Sequence, residues 1–179
     1  MTESVQRRMR TGLGIACWLW AQMAAALPAT APKPPQPPQP SSTEPLLTVG
    51  WVERVQLEPY ELMVLAKMDT GADHSSLHAV GIQPFLKNGQ AWMRFQTVQS
   101  VWLDAPFLRM AQIKTKNGGV QFRPVVALPV CLGNRQQTLE VNLVNRSHLN
   151  YPMLIGRSAM RDPFRVDPNQ RFLTHPDCR

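Results

Sequence analysis

The chain has 179 residues, which suits one domain with additional segments at its ends, and its 19 Lys and Arg against 12 Asp and Glu give a net charge of +7. The basic residues are scattered and form no dense run, so the charge favours solubility and we expect no nucleic-acid partner. No stretch of the main domain, placed at residues 46–179, is apolar for long enough to span a bilayer.

The first predicted element is an export signal at residues 1–26. Arg7, Arg8 and Arg10 give a positive start, the following residues are uncharged and mostly apolar, and a closing run of three alanines suits signal peptidase. We therefore expect a periplasmic or secreted protein. An uncleaved segment that anchors the chain in the inner membrane is the alternative.

Residues 27–45 form a proline-rich linker. Because proline lacks an N–H and has a fixed φ, this segment cannot join a helix or a sheet and is expected to form an extended polyproline spacer. A spacer of this kind predicts a stalk that holds the domain near a membrane or a cell wall. A docking motif for a proline-binding partner is the alternative.

The domain from residue 46 onward predicts an all-β fold. Five short apolar or alternating runs are separated by turn residues: 62–68, 91–98, 120–130, 138–144 and 153–155. Short strands with turns between them indicate a sandwich or a barrel. Residues 157–160 suit a short helix, and Pro124 and Pro129 predict an edge strand or a bulge.

Two cysteines belong to the domain, Cys131 and Cys178, whereas Cys17 lies in the predicted signal. Two cysteines in an oxidising compartment can form a disulfide. The sequence does not say whether they lie close enough to do so.

The candidate site is the tripeptide Asp69-Thr70-Gly71, which directly follows an apolar run. A carboxylate at the end of an apolar strand is costly unless its charge is used or well hydrogen-bonded. Gly71 allows a tight turn and the close approach of a ligand, and the Thr70 hydroxyl can brace the loop. The pattern predicts a carboxylate held rigidly at a strand-to-loop turn, although the same tripeptide also occurs in plain turns.

Further sequence blocks accompany this tripeptide. They are A-K-M-D-T-G-A-D-H-S at 66–75, K-N-G-G at 116–119, F-R-P-V-V at 122–126, E-V-N-L-V-N-R at 140–146, Y-P-M-L-I-G-R-S-A-M at 151–160 and F-R-V-D-P at 164–168. Their order resembles the retroviral-type aspartic proteases and, more closely, their bacterial relatives that are often labelled ATP-dependent zinc proteases. The resemblance covers residues 49–173.

This resemblance implies a small closed β-barrel of the acid-protease type, with a flap hairpin and one short C-terminal helix. The D-T-G loop would lie at the base of the barrel. Asn117, Gly118 and Gly119 would form the tip of the flap. Residues 84–112 would be an insertion relative to the viral enzymes, with a path that the sequence does not reveal.

The resemblance also assigns roles to the residues around the tripeptide. Asp69 would be the catalytic carboxylate, and Asp73 would pair with Arg157 through a bidentate bond that ties the loop to the last helix. We expect this pair to be structural. Three neighbours would support the catalytic loop: Thr70, Gly71 and Ala72.

The zinc and ATP parts of the family label are not visible in the residues. His74 and His78 stand four positions apart, but no glutamate lies beside either, as the H-E-x-x-H motif requires. The chain contains no Gly-Lys pair and therefore no phosphate-binding loop of the G-x-x-x-x-G-K-[ST] type. We expect no metal and no other cofactor.

Aspartic proteolysis needs two carboxylates that share one proton, so that the ionised one can activate water while the other polarises the peptide carbonyl. The chain contains a single D-T-G. We therefore expect a homodimeric endopeptidase in which Asp69 meets its copy across a two-fold axis and an extended peptide is cleaved. The alternatives are a non-catalytic peptide-binding module with a protease-like fold and a metal-dependent enzyme.

Overall fold

The computed structural model describes residues 45–114, 118–162 and 164–178. The predicted signal and all but the last residue of the linker lie outside these ranges, as does Asn117 of the predicted flap tip. Within them, no helix has the length and apolar character needed to cross a membrane.

The described residues form an all-β fold with one short helix, as the sequence predicts. The strands are β1 (Leu47–Gly50), β2 (Val52–Leu57), β3 (Leu62–Asp69), β4 (Ser75–His78), β5 (Val80–Lys87), β6 (Gln90–Gln96), β7 (Trp102–Lys114), β8 (Val120–Leu132), β9 (Arg135–Val144), β10 (Met153–Gly156) and β11 (Phe164–Asp167). The helix α1 is Arg157–Met160, where the sequence predicts it.

Six strands form a barrel-like ring in the order β2-β3-β10-β4-β9-β8. The ring closes because β2 also pairs with β8, where Gln56 lies opposite Cys131 and Leu57 opposite Val130. The sheet continues outward from β8 through β7, β6 and β5, while β1 and β11 form a separate parallel pair. The predicted barrel is therefore present, with a three-stranded extension.

The hydrophobic core fills the inside of this ring. Successive residues of a strand point to opposite faces of the sheet, so each strand sends every second side chain inward. The inward side chains of three strands are almost completely buried: Val64, Ala66 and Met68 of β3, Val126, Leu128 and Val130 of β8, and Leu139, Val141 and Leu143 of β9. Burying an aliphatic side chain of this size stabilises the fold by about 1.5–3 kcal/mol. The opposite face of the same strands is free to carry polar groups.

The prolines of β8 do not lie in an edge strand, which was one of the two expectations drawn from the sequence. β8 is not an edge strand, because it pairs with β7 on one side and β9 on the other. Pairing with β7 ends at Val126 and pairing with β2 begins at Val130. Pro129 therefore lies where β8 changes partner, and its carbonyl accepts the N–H of Glu58 (3.0 Å). The register shift in the β7–β8 pairing lies at Leu108 of β7, opposite Val125 and Val126, whereas Pro124 itself pairs with Met110.

Residues 84–112 are not a separate layer. They supply the end of β5, all of β6 and most of β7, a meander that widens the sheet beyond the ring. Asn88 and Gly89 close the β5–β6 hairpin with φ values of 51° and 76°, the conformation that tight hairpin turns require. Phe95 and Leu103 of this meander are completely buried and join the core of the ring.

The C-terminal residues 168–178 run along the ring as a strap. The buried carboxylate of Glu53 accepts the N–H groups of Gly50 (2.6 Å), Leu173 (2.8 Å) and Thr174 (3.3 Å), which compensates for the burial of its charge. Cys131 and Cys178 form a disulfide with their Cα atoms 6.0 Å apart. The pairing that the sequence leaves open is therefore made.

Candidate active site

The D-T-G loop lies at the end of a strand in the wall of the ring. Asp69 is the last residue of β3 and lies opposite Gly156, the last residue of the parallel strand β10. Because β10 separates β3 from β4, residues 70–74 have to pass around the end of β10. One carboxylate oxygen of Asp69, Oδ1, accepts the N–H of Gly71 at 3.1 Å. The carboxylate is half-buried and its orientation is fixed by its own loop.

Gly156 is required by the close passage of this loop. A Cβ atom at position 156 would lie 2.5 Å from the carbonyl carbon of His74 and 2.7 Å from the carbonyl oxygen of Asp73. Its N–H donates to Oγ of Ser75 at 3.1 Å. The sequence blocks contain this glycine, but its role in making space for the D-T-G loop is visible only in the structure.

Helix α1 is attached to the loop through backbone hydrogen bonds. The N–H of Arg157 donates to the carbonyl of Ala72 (2.9 Å), and the N–H of Ser158 donates to the carbonyl of Asp73 (3.1 Å). The hydroxyl of Ser158 donates to the same Asp73 carbonyl at 2.7 Å. The first N–H groups of a helix have no partner within the helix, and here the loop supplies carbonyl acceptors for them.

The structure brings Asp73 and Arg157 together, but not in the bidentate arrangement that was expected. Nη2 of Arg157 lies 3.5 Å from Oδ1 of Asp73, whereas Nη1 donates to the carbonyl of Thr70 at 2.9 Å. The second carboxylate oxygen of Asp73 instead faces Nε2 of His74 at 3.7 Å. Both Asp73 and Arg157 are about half exposed, so the bond to the Thr70 carbonyl is the stronger tie between helix and loop.

A series of hydrogen bonds leads from β8 to the end of the D-T-G loop. Nη1 of Arg123 donates to Oδ1 of Asn142 (3.2 Å), and Nδ2 of Asn142 donates to the carbonyl of Ser75 (2.6 Å). Asn142 is buried, so these bonds satisfy an amide that would otherwise be costly in the interior. Oγ of Ser75 also accepts the N–H of Gly156, and Gly156 lies opposite Asp69. This series of hydrogen bonds therefore ends next to Asp69.

A second arginine lies close to this series of hydrogen bonds. Arg146 is only 8% exposed; its Nη1 donates to Oγ of Ser76 (3.1 Å) and its Nε to the carbonyl of Tyr151 (3.0 Å). Burial lowers the pKa of the Arg146 guanidinium, the charge of Arg123 lowers it further, and the Asp69 carboxylate raises it. Burial also lowers the pKa of Arg123. Arginine remains protonated despite such shifts, so the positive charge of Arg146 stands near Asp69, and the positive charge of Arg123 stands near Arg146.

The hairpin of β7 and β8 forms a ribbon beyond the ring, which we call the flap ribbon: residues 109–114 and 120–124, which pair with each other but with neither β6 nor β9. One face of the ribbon looks towards the loop, where Arg109, Ala111 and Ile113 line a small cavity with His74. Gly118 and Gly119 lead into β8 at the end of the ribbon, where the predicted flap tip lies. The opposite face exposes three apolar side chains, Met110, Val120 and Phe122, and Leu108 is exposed just before the ribbon begins.

The histidines near the loop do not assemble into a metal centre. Nδ1 of His78 accepts the backbone N–H of Arg146 at 3.0 Å, which occupies the lone pair that a metal would use. The other nearby histidine, His74, is exposed beside Asp73. In the described ranges, no group of three or more His, Cys, Asp or Glu side chains is placed to hold a metal ion.

Comparison with protein families supports the resemblance seen in the sequence. Residues 48–177 match the model of the RimB-like family, described as retropepsin-like aspartic endopeptidase RimB. The chain belongs to this family. A solved structure of a protein of unknown function (DUF785) from Legionella pneumophila shares the fold with a TM-score of 0.64 and 36% sequence identity; the match covers 72% of this chain and 98% of that protein.

Curated relatives of this family member carry a different name. A probable alpha-L-glutamate ligase of Shewanella halifaxensis is 35% identical over 116 residues, which is 61% of this chain and 25% of the relative. A probable alpha-L-glutamate ligase of Desulfotalea psychrophila is 34% identical over 113 residues, or 59% of this chain and 24% of the relative. The chain thus spans about a quarter of the length of these relatives.

Three residues of the site were not singled out from the sequence: Arg123, Asn142 and Arg146. Each belongs to one of the sequence blocks, F-R-P-V-V or E-V-N-L-V-N-R, but the blocks alone do not indicate a role for any of the three. The signal that could have found them is a polar side chain inside an otherwise apolar run, because a buried polar group needs a defined partner.

Proposed function

We propose that this protein is an aspartic endopeptidase whose active site is completed by a second copy of the chain. The observation that carries the proposal is the position of Asp69: the carboxylate ends a buried strand, and one oxygen is held by the N–H of Gly71. The loop around it is fixed by Arg157 and by α1, as a catalytic group requires. Membership of a family described as aspartic endopeptidases supports the same assignment.

The proposed mechanism uses the two Asp69 carboxylates of a symmetric dimer. Two like charges at short distance cannot both ionise, so the pair holds one proton and titrates as a unit. The ionised carboxylate takes a proton from a water molecule, which attacks the peptide carbonyl, while the protonated carboxylate donates a hydrogen bond to that carbonyl. The proton is then delivered to the leaving amine.

We propose peptides that contain glutamate as the substrate class. The relatives named probable alpha-L-glutamate ligases contain a region similar to this chain in about a quarter of their length. A peptidase domain inside a protein that joins glutamate residues would meet the products of that reaction. Ligase activity itself is not proposed for this chain, which matches only part of those proteins.

The test of catalysis compares wild type with Asp69→Asn on a peptide library rich in glutamate, from acid to neutral pH, with and without a chelator. We expect cleavage by wild type to survive the chelator and to fall by at least about a thousandfold in the variant, because the dyad loses a carboxylate. Asp167→Asn, which changes a carboxylate outside the loop, is the matched control. Cleavage retained by a pure Asp69→Asn preparation contradicts the mechanism, and loss on chelation supports a metal-dependent enzyme instead.

A mixing experiment tests whether two copies build the site. Adding an excess of Asp69→Asn protein to wild type should convert active dimers into mixed dimers with a single carboxylate, so the activity per wild-type chain should fall. The fall should follow the fraction of mixed dimers measured by native mass spectrometry. Unchanged activity in the presence of mixed dimers would contradict a shared site. Glutamate peptides that bind to wild type but are never cut would favour a peptide-binding module.

We also propose a periplasmic or secreted location. The Cys131–Cys178 disulfide supports it, because disulfides persist in oxidising compartments. Fractionation of native cells is the measurement, and recovery of the protein in the cytoplasm with both thiols free would contradict the proposal.

A further inference from the structure

Two arginines converge on the face of the sheet that carries Asp69. Ser76 of β4 and Asn142 of β9 lie directly opposite each other in the parallel register. Ser76 accepts a hydrogen bond from Nη1 of Arg146, and Asn142 accepts one from Nη1 of Arg123. Opposite side chains on adjacent strands point to the same face and lie about 5 Å apart at Cβ. The two guanidinium groups are therefore held next to each other although 22 residues separate them in the chain.

Asp69 belongs to the same face of the sheet. Asn142 lies opposite Ser76, Ser76 lies opposite Leu154 of β10, and Leu154 lies opposite Lys67 of β3. These four residues therefore form one row across the sheet. Asp69 lies two residues beyond Lys67, so its side chain points to the same side of the sheet. Its neighbour in the next row is Gly156, which has no side chain to stand between the carboxylate and the arginines.

Neither arginine has a carboxylate partner within the described part of the chain. Three other arginines do: Arg94 pairs with Asp104, Arg109 with Glu140 and Arg157 with Asp73. The described hydrogen bonds of Arg123 and Arg146 involve Nε and Nη1, and their acceptors are neutral. Buried charges are usually paired because desolvation is costly. The nearby Asp69 carboxylate supplies one negative charge but forms no described ion pair with either arginine, so two adjacent cations leave a place for a ligand that supplies a second negative charge.

We propose that Arg123 and Arg146 form an anion subsite that binds a carboxylate side chain of the substrate beside Asp69. Nη2 of each guanidinium has no acceptor among the described residues and can donate to the incoming carboxylate. The two positive charges repel each other, and a carboxylate between them relieves this repulsion. The subsite rests on the proposed peptidase function and explains how an acidic peptide would be distinguished from a neutral one.

The position of Arg123 gives the subsite access to substrate. Arg123 lies at the base of the flap ribbon and is only half-buried, whereas Arg146 is held below it by Ser76 and Tyr151. A peptide that passes between the ribbon and the D-T-G loop would therefore meet Arg123 first. Arg94 of β6 lies outside the ribbon and its charge is matched by Asp104 at 2.7 Å, which makes it a suitable control.

The experiment measures binding and does not need cleavage. Asp69→Asn protein is titrated by fluorescence anisotropy with two labelled peptides of equal length, one rich in glutamate and one with glutamine at the same positions. Asp69→Asn protein should bind the glutamate peptide at least about tenfold more tightly than the glutamine peptide, since a charge-assisted hydrogen bond is lost in the glutamine peptide. The ratio of the two Kd values is the quantity compared between variants. Adding Arg123→Gln should reduce that ratio to near one, whereas adding Arg94→Gln should leave it unchanged.

A conservative variant separates charge from geometry. Arg123→Lys keeps the positive charge but not the planar pair of donors, so the ratio should fall between those of the background and Arg123→Gln. Circular dichroism and thermal unfolding check that each variant is folded. A ratio near one in the Asp69→Asn background, or an unchanged ratio with Arg123→Gln, overturns the proposal.

Measuring cleavage rates provides a second, independent test of the same subsite. In active protein, Arg123→Gln should lower kcat/KM for glutamate peptides by a larger factor than kcat/KM for glutamine peptides. An equal fall for both peptides would mean that Arg123 only supports the fold and would contradict the subsite. If wild type cleaves nothing but the binding ratio behaves as expected, the peptidase function fails while the anion subsite stands.

Discussion

The six-stranded ring and the meander of β5, β6 and β7 belong to one sheet but are stabilised in different ways. The ring encloses the core and carries buried polar bonds around Asp69 and Glu53. The meander contributes a few buried residues, while its outer surface is organised by exposed contacts, such as Arg94 with Asp104 (2.7 Å) and Lys87 over the ring of Trp92 (4.4 Å).

This difference explains where the candidate chemistry lies. A catalytic carboxylate needs surroundings that cannot relax around it, and the ring provides close backbone contacts at Gly156 and hydrogen bonds from Gly156 and Arg157 to the D-T-G loop and Ser75. The meander needs only to pair along β7 and to keep Phe95 and Leu103 in the core. We therefore expect substitutions to be costly in the ring and mild in the meander, and the following predictions test that contrast.

The largest loss of stability is expected from removing the disulfide that holds the strap on the ring. Cys131 lies where β2 and β8 close the ring, and its bond to Cys178 spans 47 residues of sequence. Cys178→Ser should lower the free energy of unfolding by about 4 kcal/mol, because the unfolded chain gains the entropy of the open loop. Denaturant unfolding measures the loss, and reduced wild type is the control. An unchanged midpoint would show that the strap does not depend on the bond.

A pair of glycine substitutions compares the two regions directly. Gly156→Ala should lower the free energy of unfolding by about 3 kcal/mol, because the new Cβ meets backbone atoms of the D-T-G loop at 2.5–2.8 Å. Gly89→Ala in the meander should lower it by about 1–2 kcal/mol, since it meets no atom within 4 Å and only its φ of +76° is unfavourable. Chemical denaturation of both variants measures the difference. Equal losses of unfolding free energy in the two variants would contradict the expected difference between the ring and the meander.

The smallest effect is expected from the exposed ion pair of the meander. Hydrogen bonding to Arg94 lowers the pKa of Asp104 below its ordinary value, so the pair stabilises the fold above the unfolded pKa of about 4. This contribution is lost as the pH falls through the lowered folded pKa. Arg94→Gln should therefore be slightly less stable than wild type near neutral pH and equally stable in strong acid, as measured by denaturant unfolding. A deficit that persists in acid would mean that lost packing of the Arg94 side chain, not charge, is responsible.

Much of this architecture could be read from the sequence because it is set by local patterns. The alternation in β9 and the apolar run of β3 predict strands, and α1 begins directly after Gly156, where the sequence predicts the helix. The edge assignment for the prolines of β8 was wrong, because the change of partner from β7 to β2 depends on closure of the ring. The bidentate bond between Asp73 and Arg157 was also not found, since the orientation of a half-exposed guanidinium depends on nearby carbonyls.

The sequence by itself determined the candidate catalytic residue, the all-β class and the family, because a short motif and a period of two residues are local properties of the chain. Only the tertiary structure decided which distant residues surround that motif. The insertion of β10 between β3 and β4 places Gly156 beside Asp69, and the register of β4 with β9 brings Arg123 and Arg146 together. Such neighbours are set by which strands hydrogen-bond across the ring, and strand pairing is not encoded in the local pattern of either strand.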